Sequence, residues 1–340
     1  MGANLRRGMP SPTSRASAHG IGSCWLLTDG KIGDEVHVRG IAEALGLSYE
    51  MRRVEPHWPW VWLMPWGPID PREAPDRPQS PIAAPYPDLL IASGRRAVPY
   101  VRHVKRASGG RTFTVFLKDP RTGAPSADFI WAPEHDAIRG ENVLVTLTSP
   151  HRISQEKLKA ARALAPPELD ALSYPRIAIL LGGHSGSFVY NVRTNRRLAA
   201  EIRTICAVEP RASFMVTPSR RTPATTLVAV REALAGRRAI VWDGNGENPY
   251  FTFLAHADLI VAPADSVNMV GEAVATGAPV YVFRPHGRGG KIDRFLTGLR
   301  EAGAIRELND GPLIPFSYEP IDATPRIAAE ILRRFNARSM

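Results

Sequence analysis

The stretch from residue 259 to residue 284 constrains the fold of this chain more than any other part of the sequence. An apolar run at 259–261 leads into a polar turn at 265–266, and apolar residues then recur at helical spacing over 269–274. A second apolar run at 280–283 has the length of a buried strand. The pattern therefore predicts strand, turn, helix and strand in succession, which is one βαβ unit of a parallel sheet.

The predicted turn at Asp265 and Ser266 is also a candidate ligand site. Free N–H groups and a partial positive charge at a helix N-terminus can hold an anionic or hydroxyl-rich ligand. Asn268 and Met269 lie in the same first turn, and Glu272, one turn later, can accept hydrogen bonds from ribose hydroxyls. A plain βαβ unit in which Asp265 or Ser266 only caps the helix is an equal alternative.

The second half of the chain repeats this alternation of strand and helix. Apolar runs typical of buried strands occur at 176–181, 212–217 and 239–242, and each precedes a helical pattern. Alternation at this spacing predicts a parallel, doubly wound sheet. Because parallel strands end at the same sheet edge, the loops that follow them should converge.

The converging loops carry glycines, hydroxyl groups and cations, which suit an anionic ligand. Backbone N–H groups of a Gly-rich loop can surround a phosphate, and an arginine can pair with it through two hydrogen bonds. The glycines lack the dinucleotide-binding spacing and no Lys-Ser or Lys-Thr ends the loop, which disfavours a dehydrogenase or an NTPase. The candidate donor-binding residues here are Gly182, Gly183, His184, Ser185, Ser187, Thr217, Ser219, Arg220 and Arg221, and Lys291 follows further along.

Polar residues also follow two predicted strands of the first half. Two glycines turn the backbone after the first of these strands, and a helix then carries Asp34, Glu35 and His37. Ligands of open α/β sheets bind at the carboxyl ends of the strands. These three residues, with Lys118 and Asp119 after the second strand, are therefore candidate catalytic residues, and Asp34 as a simple helix cap is an equal alternative.

Residues 56–87 contain ten prolines, which excludes regular structure over most of this segment. Tryptophans near its beginning either fill the core beneath a long loop or form an amphipathic patch at the level of lipid headgroups. A helix predicted after the segment carries arginines on one face, which is either a solvated face or a surface for anionic lipid. The candidate membrane or acceptor surface comprises Trp58, Trp60, Trp62, Trp66, Arg95, Arg102 and Arg106.

Nucleic acid is not expected as a partner, because these aromatic residues do not lie on an alternating strand face. The formal charge of +10 attracts anionic partners without selecting among them. The two cysteines lack metal-type spacing and predict reduced core thiols, and no apolar stretch is long enough to cross a bilayer. We therefore expect a protein of the cytoplasm or of a membrane face.

The chain of 340 residues is long enough for two domains. A Pro-Pro break at 166–167 is the natural linker between them. The expected division is a disordered basic tail at 1–22, an N-terminal domain at 23–160, a C-terminal domain at 172–316 and, within 317–340, a helix that packs back on the first domain.

Five motifs resemble those of the bacterial and plant family named after the elongated-mitochondria fission protein of plants. They are TDGKIGDE (28–35), FLKDP (116–120), LLGGHSGSF (180–188), TPSRRTP (217–223) and PADSVNMVGEAVATGAPVYVF (263–283). The last motif is the most specific, and it is similar to the donor-site signature of two-domain glycosyltransferases of the GT-B architecture.

This resemblance implies an α/β fold in which two Rossmann-like, doubly wound domains face a central cleft, as in GT-B proteins. It also implies that Gly183, Ser185 and Ser187 face the diphosphate of a nucleotide sugar and that Glu272 binds its ribose. Members of the family are described as glycosyltransferases or as nucleotide-sugar epimerases.

Together these features favour a glycosyltransferase that moves a sugar from a nucleotide-diphosphate donor to a lipid or lipid-linked saccharide. The basic and Trp-rich segments predict action at an anionic membrane surface, with the protein peripheral on the inner face of the cytoplasmic membrane. Neither a metal nor another cofactor is expected, because Arg220, Arg221 and Lys291 can neutralise the leaving diphosphate.

Asp34 is the expected base for the acceptor hydroxyl, with Glu35 or His37 as substitutes. Two other functions remain open from the sequence. One is a non-catalytic, membrane-associated scaffold that keeps the nucleotide-sugar fold, and the other is an epimerase that acts on the same donor without an acceptor.

Overall fold

Two parallel sheets of six strands each form the framework of the chain, in a computed structural model that describes residues 18–309 and 313–338. Residues 1–17 of the predicted basic tail lie outside the described residues. The predicted tail extends to residue 22, whereas Ile21 is already buried in the core of the first sheet. The folded part therefore begins slightly earlier than the sequence pattern indicates.

The first sheet has the strand order β2-β1-β3-β4-β5-β6, and all its neighbouring strands run parallel. The strands are β1 (Cys24–Thr28), β2 (Glu50–Arg53), β3 (Leu89–Ser93), β4 (Phe113–Leu117), β5 (Phe129–Pro133) and β6 (Val143–Thr146). Strands β1, β3, β4 and β5 are buried along their whole length, which explains their continuous apolar sequences. Strand β2 escapes sequence prediction because it is an edge strand of sequence EMRR that stays partly exposed.

The second sheet has the order β10-β9-β7-β11-β12-β14 and is also parallel throughout. The strands of this half are β7 (Arg176–Leu181), β8 (Phe188–Val189), β9 (Ser213–Pro218), β10 (Ala239–Val241), β11 (Leu259–Pro263), β12 (Val280–Phe283), β13 (His286–Gly287) and β14 (Ile305–Glu307). The short strands β8 and β13 pair with each other in an antiparallel ribbon beside the sheet.

Helices cover both faces of each sheet. They are α1 (Ile32–Ala44), α2 (Trp60–Leu63), α3 (Val98–Ala107), α4 (Gln155–Ala163), α5 (Pro167–Asp170), α6 (Val192–Val208), α7 (Ala224–Ala233), α8 (Tyr250–His256), α9 (Val267–Val274), α10 (Gly290–Glu301) and α11 (Thr324–Ala337). Among the described residues, none of these helices has the length and apolar character needed to span a membrane.

Four separate hydrophobic clusters show that both sheets are doubly wound. On the first sheet, α1 and α11 cover one face, and α3 with the Pro-rich loop covers the other. On the second sheet, α6 and α7 pack on one face, while α8, α9 and α10 pack on the opposite one. The predicted α/β fold of two Rossmann-like sheets is therefore confirmed.

Helix α11 returns from the second sheet to the first. Ile327 and Ile331 are fully buried against α1, and the ring of Phe335 meets Phe113 edge-on with centroids 5.9 Å apart. The sequence predicts this helix from the spacing of the same apolar residues. Because α11 docks on the first sheet, the chain crosses between the sheets twice, once before and once after the strands of the second sheet in the sequence.

We predict that Ile331→Ala lowers the free energy of unfolding by about 2–4 kcal/mol, because truncation leaves a cavity between α11 and α1. Denaturant titration followed by circular dichroism measures this loss. The matched control is Arg326→Ala on the exposed face of the same helix, for which we expect a change below about 0.5 kcal/mol. Equal losses in the two variants would contradict the docking of α11.

Candidate active site

A central cleft of about 430 Å³ opens between the two sheets. Its N-terminal wall consists of residues at or beyond the carboxyl ends of β1, β3, β4, β5 and β6. Its C-terminal wall consists of the first turns of α9 and α10. The cleft therefore brings together loops that are far apart in the sequence.

The strand order explains where the cleft lies. In the first sheet the order reverses between β1 and β3, and in the second sheet it reverses between β7 and β11. The helices that follow two such neighbours pack on opposite faces, so a crevice opens at the carboxyl ends of the strands. Both crevices carry predicted site residues.

Asp34 places a buried carboxylate on the N-terminal wall of the cleft. Its Oδ1 accepts hydrogen bonds from the ammonium of Lys118 at 2.6 Å and from the hydroxyl of Ser93 at 2.9 Å. Burial by itself would raise the pKa of Asp34, but Lys118 and Ser93 outweigh it and lower the pKa below its usual value. The side chain does not cap α1. Asp34 is thus an ionised carboxylate in the cleft, and the helix-cap alternative is wrong.

His37 lies one turn further along α1 and contacts the opposite wall. Its Nε2 is 3.1 Å from Oδ1 of Asn268 in the first turn of α9. Burial, reinforced by the charge of Lys118, lowers the pKa of His37 to about 3, so the imidazole is neutral at physiological pH. Nε2 therefore donates to Asn268, and the buried Nδ1 is left without a partner among the described residues.

The other two candidates of the first half differ in position. Glu35 is buried, and it accepts a hydrogen bond from Nε of Arg53 at 2.9 Å instead of lining the cleft. This correction has a simple cause, since Arg53 belongs to the edge strand β2 that the sequence pattern misses. Asp119 does line the cleft, and its Oδ1 accepts from the backbone N–H of Arg121 at 2.7 Å.

Lys291 lines the cleft, but its ammonium already has a partner. It forms an ion pair with Asp136, which lies on the N-terminal wall, at 2.5 Å. One turn later, Arg294 donates to the backbone oxygen of His135 at 3.1 Å. These contacts tie α10 to the first sheet, so the expected role of Lys291 in neutralising a diphosphate requires displacement of Asp136.

Asp265 is the point where the three predicted loops of the second half meet. Its buried carboxylate accepts hydrogen bonds from the N–H of Gly183 at 3.1 Å, the hydroxyl of Tyr190 at 2.6 Å and the guanidinium of Arg221 at 3.0 Å. The helix cap is Ser266, whose Oγ accepts from the N–H of Met269 at 3.3 Å. Asp265 therefore holds the loops together, and Ser266 caps the helix.

Gly182 and Gly183 are needed for this close approach. A Cβ atom at residue 182 would lie 2.0 Å from Oδ1 of Asp265, and one at residue 183 would lie 1.9 Å from the backbone oxygen of Arg221. Arg221 also donates to the backbone oxygens of Gly183 and His184, so its guanidinium supports the loop. Arg220 is exposed and forms no ion pair with any described residue, which leaves it as the available cation of this loop.

The remaining donor-site candidates of the loops mostly stabilise local structure. Ser185 Oγ accepts from the N–H of Phe188 at 3.1 Å, and Ser219 Oγ accepts from the N–H of Arg221 at 3.3 Å. Thr217 is buried, and its hydroxyl has no partner among the described residues. The other two positions are His184, which is exposed, and Ser187, which is partly buried.

Glu272 is partly buried in α9 and interacts with the start of α8. The hydroxyl of Tyr250 donates to its Oε2 at 2.5 Å. Burial raises the pKa of Glu272 to about 7, although the hydrogen bond from Tyr250 opposes the rise. Glu272 is therefore engaged by α8 and is not among the residues that line the central cleft.

The Trp-rich segment forms a patch on the outer surface of the first sheet's α3 layer. Trp60 packs partly into the core, as the core-filling alternative requires. Trp58, Trp62 and Trp66 are 69%, 78% and 63% exposed, and Leu63 between them is 46% exposed. Most of these indole rings therefore lie at the surface, where the amphipathic-patch alternative places them.

The three arginines of the predicted stripe do not share a face. A 3₁₀ turn at Arg95–Ala97 precedes α3, so Arg95 lies in the cleft. Arg102 and Arg106 are one turn apart on α3, and Arg102 donates to the backbone oxygen of Trp66 at 3.2 Å. Only these two arginines can accompany the tryptophan patch, because the 3₁₀ turn breaks the helical spacing assumed from the sequence.

Sequence reasoning misses several residues that line the cleft or support it. They are Ser93, Arg121, His135, Asp136, Tyr190 and Tyr250. Ser93, Arg121 and Asp136 follow or end strands, which is the signal that identified Asp34 and Lys118. The two tyrosines carry no such signal, because they act through their hydroxyl groups on carboxylates of another loop.

The fold and the cleft define a protein of GT-B-like architecture, and solved structures share it. They include UDP-GlcNAc 2-epimerase from Neisseria meningitidis bound to UDP-GlcNAc, with a TM-score of 0.52 and 14% identity over 92% of this chain and 100% of that one. UDP-GlcNAc 2-epimerase from Methanocaldococcus jannaschii in complex with UDP-GlcNAc and UDP has a TM-score of 0.52 and 12% identity over 91% of this chain and 99% of that one. The structure of S. aureus MnaA with UDP has a TM-score of 0.51 and 12% identity over 93% of this chain and 90% of that one. At this identity the likeness shows the fold alone.

The chain belongs to the family described as mitochondrial fission ELM1, whose model matches residues 32–335. The resemblance carried by the five sequence motifs is therefore confirmed. Mitochondrial fission protein ELM1 of Arabidopsis thaliana is 27% identical over 278 residues, which are 74% of this chain and 65% of that protein. Uncharacterized protein RP120 of Rickettsia prowazekii (strain Madrid E) is 28% identical over 170 residues, 47% and 48% of the two lengths. The match spans less than two thirds of either relative.

We predict that Gly183→Ala destabilises the protein by about 1–3 kcal/mol, because its Cβ overlaps the backbone of Arg221 and forces the loops apart. Gly186→Ala in the same loop is the matched control, since its Cβ would meet nothing within 4 Å. Thermal unfolding measures both variants. If the two substitutions cost the same, the loops do not meet as described.

Proposed function

We propose that this chain transfers a sugar from a nucleotide-diphosphate donor to the hydroxyl group of a lipid or lipid-linked saccharide. The observation that carries the proposal is the position of Asp34. An ionised, buried carboxylate lies on one wall of the cleft, and the N-terminal turn of α9 lies on the other. This arrangement offers a proton acceptor opposite a site suited to a diphosphate.

In the proposed reaction the acceptor oxygen attacks the anomeric carbon of the donor sugar. A new carbon–oxygen bond forms, and the bond from the anomeric carbon to the diphosphate oxygen breaks. The nucleoside diphosphate leaves with the bonding electron pair, and the proton of the acceptor hydroxyl moves to the carboxylate of Asp34. Lys118 keeps this carboxylate ionised before the reaction, and His37 remains neutral beside it.

The donor is assigned to the C-terminal wall. The free N–H groups at the start of α9 and the exposed Arg220 are the groups proposed to neutralise the leaving diphosphate. The N–H groups of Gly183 and Ser185 are already used, since they donate to Asp265 and to the backbone oxygen of Phe188. The proposal therefore includes no metal and no other cofactor. Because three similar structures were solved with UDP or UDP-GlcNAc, UDP sugars are the first donors to test.

The acceptor is assigned to a membrane surface because of the tryptophan patch. Exposed indole rings beside Arg102 and Arg106 suit the headgroup region of an anionic bilayer, where an apolar ring with a polar N–H is favoured. In this proposal the protein is peripheral on the inner face of the cytoplasmic membrane. Nucleic acid is not a proposed partner.

We predict that Asp34→Asn lowers the rate of sugar transfer by about 10²–10⁴, because the amide cannot accept the acceptor proton. Transfer is measured with radiolabelled UDP sugars and a membrane lipid extract as the acceptor source. The matched control is Glu35→Gln, in which the altered carboxyl group faces Arg53 and not the cleft. Its rate should stay within a few-fold of the unaltered protein.

The same preparations distinguish the competing functions. A scaffold without a donor pocket would show no thermal stabilisation by any nucleoside diphosphate, and this result would contradict the proposal. An epimerase would convert the nucleotide sugar when no acceptor is present. Full transfer by Asp34→Asn would remove Asp34 from the mechanism while leaving a transferase.

We predict that replacing Trp58, Trp62 and Trp66 together by serine weakens binding to vesicles by at least about tenfold, because three exposed indoles lose their place in the headgroup layer. Sedimentation with vesicles of 30% phosphatidylglycerol in phosphatidylcholine measures the binding. Leu164→Ser is the control, since Leu164 is 78% exposed but lies outside the patch. Unchanged sedimentation of the triple variant would rule out the patch as the membrane contact.

A further inference from the structure

The central cleft as a whole is lined by more cations than carboxylates: the cations are Lys31, Arg95, Lys118, Arg121 and Lys291, and the carboxylates are Asp34, Asp119 and Asp136. Lys31 pairs with Asp29 at 3.1 Å, and Lys118 pairs with Asp34 at 2.6 Å. Two further cations line the N-terminal wall of the cleft, and neither forms an ion pair or side-chain hydrogen bond with any described residue. They are Arg95, at the exit of β3, and Arg121, at the exit of β4.

The backbone around Arg121 is held in an unusual conformation. Lys118 has φ 93° and Arg121 has φ 64°, and only one other non-glycine residue in the described ranges has a positive φ. A left-handed non-glycine residue costs on the order of 1 kcal/mol, so its surroundings must impose it. Asp119 does so by accepting from the N–H of Arg121, while the N–H of Lys118 donates to the backbone oxygen of Trp131 at 2.7 Å.

Arg95 reaches the cleft through a local break in the helix pattern. Gly94 has φ 100°, and a Cβ atom there would lie 2.7 Å from Oδ1 of Asp29. This tight turn at the exit of β3 is followed by the 3₁₀ turn at Arg95–Ala97. Arg95 is thereby separated from the arginines of α3 and set beside Lys118 and Arg121 on the cleft wall.

We propose that Arg95 and Arg121 form a subsite for a phosphate group on the acceptor. Guanidinium groups bind phosphate through paired, charge-assisted hydrogen bonds, and two unpaired guanidiniums on one wall supply the charge that a phosphate monoester carries. A cleft with surplus positive charge also concentrates anionic ligands. The assignment to the acceptor rests on the proposed function, which places the donor on the opposite wall.

The subsite also accounts for how the acceptor meets its base. Arg95, Lys118 and Arg121 line the same wall as Asp34, whose carboxylate lies between the exits of β1 and β3. A phosphate anchored by the two arginines holds a neighbouring hydroxyl group in the cleft near that carboxylate. Positioning of this kind is a large part of what an enzyme contributes to group transfer.

The test is calorimetric titration of the full chain with three probes: dihexanoyl phosphatidic acid below its micelle concentration, dihexanoylglycerol and inorganic phosphate. We expect phosphate-bearing probes to bind and dihexanoylglycerol not to bind. The double variant Arg95→Ala/Arg121→Ala should bind phosphatidic acid at least about tenfold more weakly. Tighter binding of phosphatidic acid than of inorganic phosphate identifies a lipid phosphate, and equal binding identifies a water-soluble phosphate monoester.

Two single variants serve as controls. Arg203→Ala removes an exposed arginine of α6 outside the cleft, and Arg220→Ala removes the cation of the donor loop. Both should bind phosphatidic acid within about twofold of the unaltered protein. The proposal is overturned if the double variant binds as well as the unaltered protein, if Arg220→Ala is the variant that loses binding, or if dihexanoylglycerol binds as tightly as phosphatidic acid.

Thermal stabilisation by UDP separates this subsite from the donor site. The double variant should keep its response to UDP, because its arginines lie on the other wall. If the double variant loses both its thermal response to UDP and its binding of phosphate, the two arginines hold the donor, and the subsite proposal is overturned. Absence of any UDP response in the unaltered protein, with phosphate binding lost only in the double variant, would contradict the donor proposal and leave the anion subsite standing.

Discussion

The reversal of strand order within each parallel sheet is the constraint on which the rest of the structure depends. Helices that leave β1 and β3, or β7 and β11, must cover opposite faces, and the gap between them cannot be filled by either helix. Each gap is bridged by one buried carboxylate. Asp34 follows β1 and binds the end of β3, whereas Asp265 follows β11 and binds the loop after β7.

These two carboxylates have different partners and therefore different chemical character. Asp265 accepts three hydrogen bonds from its own half and is fully committed to holding loops in place. Asp34 is held by one hydroxyl and one ammonium, and the cleft gives it access to a ligand. The same location in the two sheets thus yields a supporting group on one side and, in the proposed function, a proton acceptor on the other.

The sequence predicts most of the fold because buried parallel strands are read from continuous apolar runs. It misses β2, whose short charged sequence belongs to a sheet edge. That omission also explains the wrong placement of Glu35, because its partner Arg53 comes from β2. The positions of Asp34 and Lys118 follow from the rule that ligands bind at strand ends. The ion pairs of Arg221 and Lys291 do not follow from this rule, since their partners lie more than 40 residues away in the chain.

The ion pair between Lys291 and Asp136 has a consequence for how the cleft admits a charged ligand. The pair spans the gap, and the lysine side chain is 65% exposed, so solvent screens the attraction and its worth is at most about 1 kcal/mol. An incoming anion that takes Lys291 releases Asp136 and removes one link between the halves. Binding of an anion in the cleft and separation of the two halves are thereby coupled through the ammonium group of Lys291. Dissolved salt also weakens this link, because it screens the attraction between Lys291 and Asp136.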